Sequence, residues 1–293
     1  MNNFEIKNLS DLQPAESLTI LLYGQFGSGK TQFIGSAGSR TLIINIGSGI
    51  DTLHGKTFKD KNPNVDPLII TINETLDENG QFDTAEAFDA VTDAIDFALK
   101  NHHDKFDTIA IDDITALRGF AMNKGLELNQ KTKKSQTNAQ RKDYGATLPA
   151  VQDYGTEMSL IEWFIKTYTN LCKREKKHLI MTAHERQQFK KADKIGEQPS
   201  LFKIRPGFTG QTFPDDMCAH FDFVWHAEIA GGGGQIVYRV RTVGDEVISA
   251  RTRYGGIFDL LEKDLSFSKV LSKIQTYTLS QKPVPKIVAA VVK

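Results

Sequence analysis

Cysteine is scarce. The 293 residues contain two, Cys172 and Cys218, in no CxxC pair and with no histidine cluster beside either. That excludes a disulfide framework and a cysteine-based zinc site, and it fits a reducing compartment. Long apolar runs are missing as well: no stretch approaches the ~20 residues that a membrane span requires. The first residues, MNNFEIKNLSDLQPAES, hold no apolar segment of a secretory signal. The expectation is a cytoplasmic protein with no membrane partner. Net charge is absent too, since 36 basic residues offset 36 acidic ones. A neutral sum argues against a surface coated throughout by nucleic acid but permits a local basic track. No internal repeat is present. Hydrophobic residues make up 40% and charged ones 25%, enough apolar material for the core of one large α/β domain.

Short apolar runs alternate with helical patterns. Residues 18–23, 41–46, 68–72, 108–113 and 179–183 read as buried strands. Between them, Ala87, Phe88, Val91, Ala94, Ile95, Ala98 and Leu99 recur at helical spacing over 84–100, and a long helix covers roughly 155–175. This alternation predicts a mostly parallel sheet with helices on both faces. After residue 220 the character changes. Residues 221–228 and 236–241 flank Gly231 to Gly234, the pattern of an antiparallel hairpin. A further strand is expected over 247–253 and a helix over 259–279. The division that follows is a lead-in (1–17), a core (18–263), and a C-terminal helix and tail (264–293).

The most specific motif is Gly24-Gln25-Phe26-Gly27-Ser28-Gly29-Lys30-Thr31, a GxxxxGK[ST] loop between an apolar strand and a helix opened by Gln32. That helix must be short, because Gly35 and Gly38 interrupt it. Glycines let the backbone fold tightly, so that successive N–H groups point at phosphate oxygens, and the helix adds its positive end. Lys30 supplies a mobile charge for the β- and γ-phosphates, and Thr31 offers a hydroxyl to Mg²⁺. Residues 24–32 are therefore the expected ATP-binding set. Asp112, at the carboxyl end of its strand, is placed to partner Mg²⁺; the alternative is a plain helix cap. Asp113 is a general base, a water-orienting group or a cap. His184, ending its strand, either touches the γ-phosphate or is structural.

With those residues in view, the chain resembles the RecA-like P-loop ATPases, in particular phage-encoded RecA-fold proteins of single-strand annealing and recombination. The resemblance is carried by YGQFGSGKT (23–31), FDTIAIDD (106–113), HLIMTAHE (178–185), RPGFTGQT (205–212), FDFVW (221–225) and ISARTRYGG (248–256). It implies an ATPase whose Asp112 holds Mg²⁺ through water and whose His184 couples the γ-phosphate to a DNA-binding loop. It also implies a homo-oligomer, filament or ring, in which Arg251 and Arg253 reach the nucleotide of the neighbouring subunit. Residues i and i+2 of a strand share a face, although a solvated strand face would look the same. A trans arginine is worth ~10³–10⁵ in rate.

One departure stands out. In this family the strand after the P-loop helix usually ends in an acid followed by a catalytic glutamate; here the stretch is Ile44-Asn45-Ile46-Gly47-Ser48-Gly49. Loss of a general base typically slows water activation by ~10²–10⁴. Either Asp113 or Asp51 substitutes, or ATP is bound well and hydrolysed slowly.

Two basic segments read as loops. Residues 118–142 carry Arg118, Lys124, Lys131, Lys133, Lys134, Arg141 and Lys142 against Glu127 alone. Residues 186–208 carry Lys190, Lys191, Lys194, Lys203 and Arg205, interleaved with Phe189, Phe202 and Phe208. Basic groups bind backbone phosphate and aromatic faces stack on bases, so the two segments are expected to hold single-stranded DNA; the alternative is two solvated loops. They also match the DNA-facing loops of the RecA core. A single-strand-binding protein is a further expected partner. No NKxD motif or arginine-rich lid points to a GTPase or small-molecule kinase. A nucleotide-dependent assembly scaffold is the competing reading.

Overall fold

Strands that are apolar on both faces must lie between two layers. β1 (Thr19–Gly24), β2 (Thr41–Asn45) and β4 (Thr108–Asp112) do so, with every residue buried. They belong to a computed structural model that describes residues 16–47, 49–74, 85–129, 149–190, 200–231 and 236–281. The remaining strands are β3 (Leu68–Thr71), β5 (His178–Lys190), β6 (Ser200–Pro206), β7 (Phe223–Ala230), β8 (Val237–Arg241), β9 (Arg251–Thr252) and β10 (Leu261–Lys263). The sheet runs β10-β8-β7-β1-β5-β4-β2-β3, with β6 on β5 and β9 on β7. Pairings from β7 through β3 are parallel. Those of β8, β9, β10 and β6 are antiparallel. This is the expected α/β architecture with antiparallel strands toward the C-terminus.

Alternation along β1 sends Leu21 and Tyr23 to one face, and Ile20 and Leu22 to the other. The first face packs against α3 (Glu86–Asn101), α4 (Ile114–Leu128) and α5 (Val151–Arg174), through residues such as Val91, Leu117 and Phe164. The second packs against α1 (Lys30–Gly35), α2 (Lys56–Lys61) and α7 (Phe267–Gln281), through Phe33, Phe58 and Phe267. A short α6 (Phe213–Cys218) precedes β7. Each fully buried large side chain contributes about 1.5–3 kcal/mol. A solvent-exposed pair such as Arg40–Asp107 is screened by water and contributes little. The two apolar clusters, not surface ion pairs, hold the layers together. Among the described residues no helix is long and apolar enough to cross a membrane.

Several sequence-based boundaries are corrected. The strand expected to end at His184 runs on to Lys190 and pairs with β6 as an antiparallel ribbon, so the segment expected as a loop from 186 is strand at 186–190 and 200–206. Residues 114–128 form α4, so Arg118 and Lys124 sit on a helix. Strand 247–253 shrinks to Arg251–Thr252 plus an isolated bridge at Ile248. The helix expected from 259 begins at Phe267, because residues 261–263 pair with β8 instead. Lys131, Lys133, Lys134, Arg141, Lys142 and Lys191 lie outside the described residues.

Candidate nucleotide site

At the carboxyl edge of β1 the chain turns through the glycine loop. Gly24 must lack a side chain, because a Cβ there would sit 2.1 Å from the Ala227 carbonyl oxygen of β7. Gly29 has φ +88°, a left-handed conformation that favours glycine. α1 has only six residues, so its helix end contributes little and the loop itself makes the cradle. Lys30 is buried, and its Nζ donates to the carbonyls of Gly24 (2.9 Å) and Gln25 (2.8 Å). Burial pushes its pKa below the ordinary lysine value, against the pull of Asp113, Asp112 and Glu185. Ser28 Oγ is buried without a hydrogen-bond partner among the described residues.

Beside the loop, Thr31 Oγ1 donates to Asp112 Oδ2 (2.8 Å), and Thr182 Oγ1 of β5 donates to Asp112 Oδ1 (2.6 Å). Burial raises the Asp112 pKa, partly offset by these two hydroxyls. The register explains the meeting: β4 lies beside β5, and β5 beside β1. Asp113 caps α4 by accepting from the Ala116 amide (2.7 Å). Its other oxygen lies 3.0 Å from His184 Nε2. The cap reading of Asp113 therefore holds for Oδ1, while Oδ2 faces His184. The His184 ring also packs on Phe26, with centroids 3.8 Å apart. Burial lowers the His184 pKa; the Asp113 charge opposes it.

A cavity of about 400 Å³ opens over the loop, lined among others by Lys30, Thr31, Asp112, Asp113, His184 and Tyr238. The residues fit a magnesium triphosphate. A buried cation and an unpartnered hydroxyl face the phosphate space, and the oxygens of Thr31 and Asp112 suit a hard divalent ion. Gly49 closes in behind: a Cβ on it would lie 3.1 Å from Thr31 Oγ1 and 3.2 Å from Asp112 Oδ2. Gly49 is thus held without a side chain against the metal end, whereas a Cβ on Gly47 would meet nothing within 4 Å. Asp51 is exposed and does not line the cavity, which leaves Asp112 and Asp113 as its carboxylates.

Other predicted residues lie elsewhere. Arg251 pairs with Val224, and Val224 with Leu21, three residues before Gly24. Its Nη2 donates to the carbonyls of Phe221 (2.9 Å) and Ala219 (3.3 Å). Arg253 Nη1 pairs with Asp222 at 2.7 Å, and Asp222 also accepts from the Thr19 amide at the start of β1. Both arginines therefore stand at the opposite edge of the sheet from their own cavity. Arg205 is buried, donates to the Gln211 carbonyl and lies 3.5 Å from Asp215. It secures the root of the ribbon, and the expectation that it binds DNA phosphate is withdrawn on that ground. Arg118 is likewise engaged with Glu157, at 2.7 Å, and with Gly207 and Thr209. Cys172 and Cys218 are buried, and burial pushes both thiols up to about 12, so neither is a nucleophile at neutral pH.

Two parts of the site were not anticipated. Tyr238, on β8, packs against Gly29. Glu185 accepts from Gln25 Nε2 of the loop (3.1 Å), from Gln187 (2.9 Å) and from His226 of β7 (2.8 Å). Burial pushes the Glu185 pKa up, but His226, Gln187 and Gln25 outweigh it and leave it lowered. Only the position of Glu185 directly after His184 gave any sequence signal.

Fold and site define a RecA-like P-loop ATPase. The P-loop strand and the Asp112 strand are separated by one further strand, β5, which carries a polar residue toward the phosphate end. The chain belongs to an AAA domain family (AAA_24), whose model matches residues 16–254. Among solved structures, the KaiC-like protein PH0186 from the hyperthermophilic archaeon Pyrococcus horikoshii OT3 is similar at TM-score 0.41 and 11% identity, over 85% of this chain and 84% of its own. The flagellar accessory protein FlaH from Methanocaldococcus jannaschii gives 0.39 and 12%, over 86% and 91%. No curated protein matches. Likenesses this distant carry no weight for activity; the family match and the site do.

Proposed function

We infer that this chain binds Mg²⁺-ATP on Gly24–Gln32 and hydrolyses it slowly. We further infer that it uses the nucleotide state to act on single-stranded DNA in phage-type recombination or strand annealing, in the cytoplasm of a bacterial host. The observation that carries the reading is the Asp113–His184 contact, because His184 belongs to the strand that continues into the β5–β6 ribbon. Lys30 and the loop amides would hold the phosphates, and Thr31 and Asp112 would hold Mg²⁺, which when bound would neutralise phosphate charge. Asp113 orients the attacking water and accepts its proton; His184 fixes the Asp113 carboxylate.

The ribbon supports the DNA half of the reading. Phe189 and Phe202 are 56% and 43% exposed, and Lys190 Nζ lies 5.0 Å above the Phe202 ring. Exposed aromatics beside a cation suit stacked bases and backbone phosphate. Lys190 and Lys203 are the proposed DNA contacts among the described residues, with Lys131, Lys133, Lys134, Arg141, Lys142 and Lys191 proposed from sequence alone. Arg251 and Arg253 act on a neighbouring subunit's nucleotide within a filament or ring. A single-strand-binding protein is a proposed partner.

ATPase rates measured with and without single-stranded DNA at low salt test this reading. Stimulation together with direct binding supports it; neither effect removes the DNA role. Gly47 and Gly49 favour a second reading, a nucleotide-dependent assembly scaffold with weak hydrolysis. Loss of assembly in a Lys30→Ala variant, with no effect of single-stranded DNA on the wild type, would favour that scaffold.

A further inference from the structure

Sheet order gives the nucleotide cavity a direction. Asp112 on β4 and Tyr238 on β8 flank β1 from opposite sides, each two strands away, with β5 and β7 between. β7 continues three residues beyond Ala227, the partner of Gly24, and carries the cross-strand pair Ile229–Tyr238 past the edge of the sheet. There Tyr238 Cδ1 comes within 2.8 Å of where a Cβ on Gly29 would be, and Ile229 Cδ1 within 4.0 Å of one on Gly27. Tyr238 is half-buried and lines the same cavity as Lys30 and Asp113. No catalytic step uses it.

A triphosphate whose terminal phosphate faces Asp113 and His184 must run its other end away from β4, toward β7 and β8. The geometry points to Tyr238 as the platform on which the nucleobase stacks, with Ile229 closing one flank. This rests on the reading of residues 24–31 as a triphosphate cradle. A flat aromatic face contributes affinity without selecting a base, because every base has a π-face.

Calorimetric titration of Mg²⁺-ATP and of Mg²⁺-tripolyphosphate into the full chain tests it, using wild type, Tyr238→Ala and Tyr238→Phe. The expected result for Tyr238→Ala is a ~5- to 150-fold loss of ATP affinity, with Tyr238→Phe within ~2-fold of wild type. Tripolyphosphate, which has no base, should bind all three equally. Equal losses for both ligands would mean that the ring only props the loop, and would overturn the proposal. Full ATP affinity in Tyr238→Ala overturns it too. Wild type that takes up neither ligand overturns the cradle reading itself, a distinct outcome. Should the alanine variant not fold, Tyr238→Leu keeps an apolar contact with the loop while removing the ring, and carries the same expectations.

Discussion

His184 Nε2 stands 3.0 Å from the Asp113 carboxylate, joining the phosphate end of the cavity to the root of the β5–β6 ribbon. At that distance Nε2 carries the proton and donates it. The other ring nitrogen is buried with no partner among the described residues, so protonating it is unfavourable and the neutral ring persists. A neutral imidazole can orient Asp113 without competing for a proton.

That pairing makes Asp113 the residue to test for water activation. Asp113→Asn should lower ATP turnover by ~10²–10⁴. Asparagine still caps a helix, so the melting temperature should change little. Asp51→Asn, at an exposed position outside the cavity, should leave turnover unchanged. Steady-state ATPase assays on both variants decide between the two acids; an unaffected Asp113→Asn would remove it as the base.

The depressed His184 pKa predicts a pH dependence of stability. Unfolded chains protonate this histidine near 6.5, whereas the folded chain resists protonation to lower pH. Below about 6.5 the unfolded state thus binds more protons, and stability falls as pH drops through the folded pKa. The contribution is fully present above that window. Melting curves at neutral pH and at pH about 5.5 should show a larger drop for wild type than for His184→Gln. His178 and His220, also lowered by burial, remain in both proteins, so the difference isolates His184. Identical drops would contradict the assignment.

Arg118 gives a contrasting test. Its partner Glu157 is 2% exposed, so Arg118→Leu leaves a buried carboxylate without its countercharge, held among the described residues only by the Thr209 hydroxyl (2.7 Å), and should cost about 3–5 kcal/mol of stability. If Arg118 instead contacted DNA phosphate, its loss would reduce the salt slope of single-strand binding by ~0.7. Denaturant melts and salt titrations of binding separate the two; a changed slope with normal stability would contradict the structural role.

What could be read beforehand followed how local each signal is. The phosphate loop was legible because strand, glycines, lysine and threonine are consecutive, and Asp112 because it ends an apolar run. Arg118 reads as part of a basic loop because its partner Glu157 lies 39 residues away. The ribbon escaped notice because β6 owes its strand character to β5 rather than to its own pattern. Residues 261–263 read as helix for the same reason, since their partner is β8. Tyr238 reaches Gly29 only through the pairings of β8 with β7 and β7 with β1. No window of sequence contains that contact.

The most direct test of the whole account is a titration of Mg²⁺-ATP into the intact protein and into Lys30→Ala. Lys30 Nζ, held by two loop carbonyls, is the charge that the phosphates should take over. Saturable uptake by wild type, weakened ~30-fold or more in Lys30→Ala, is the predicted result. No uptake by wild type, or equal affinity in the two proteins, would contradict it.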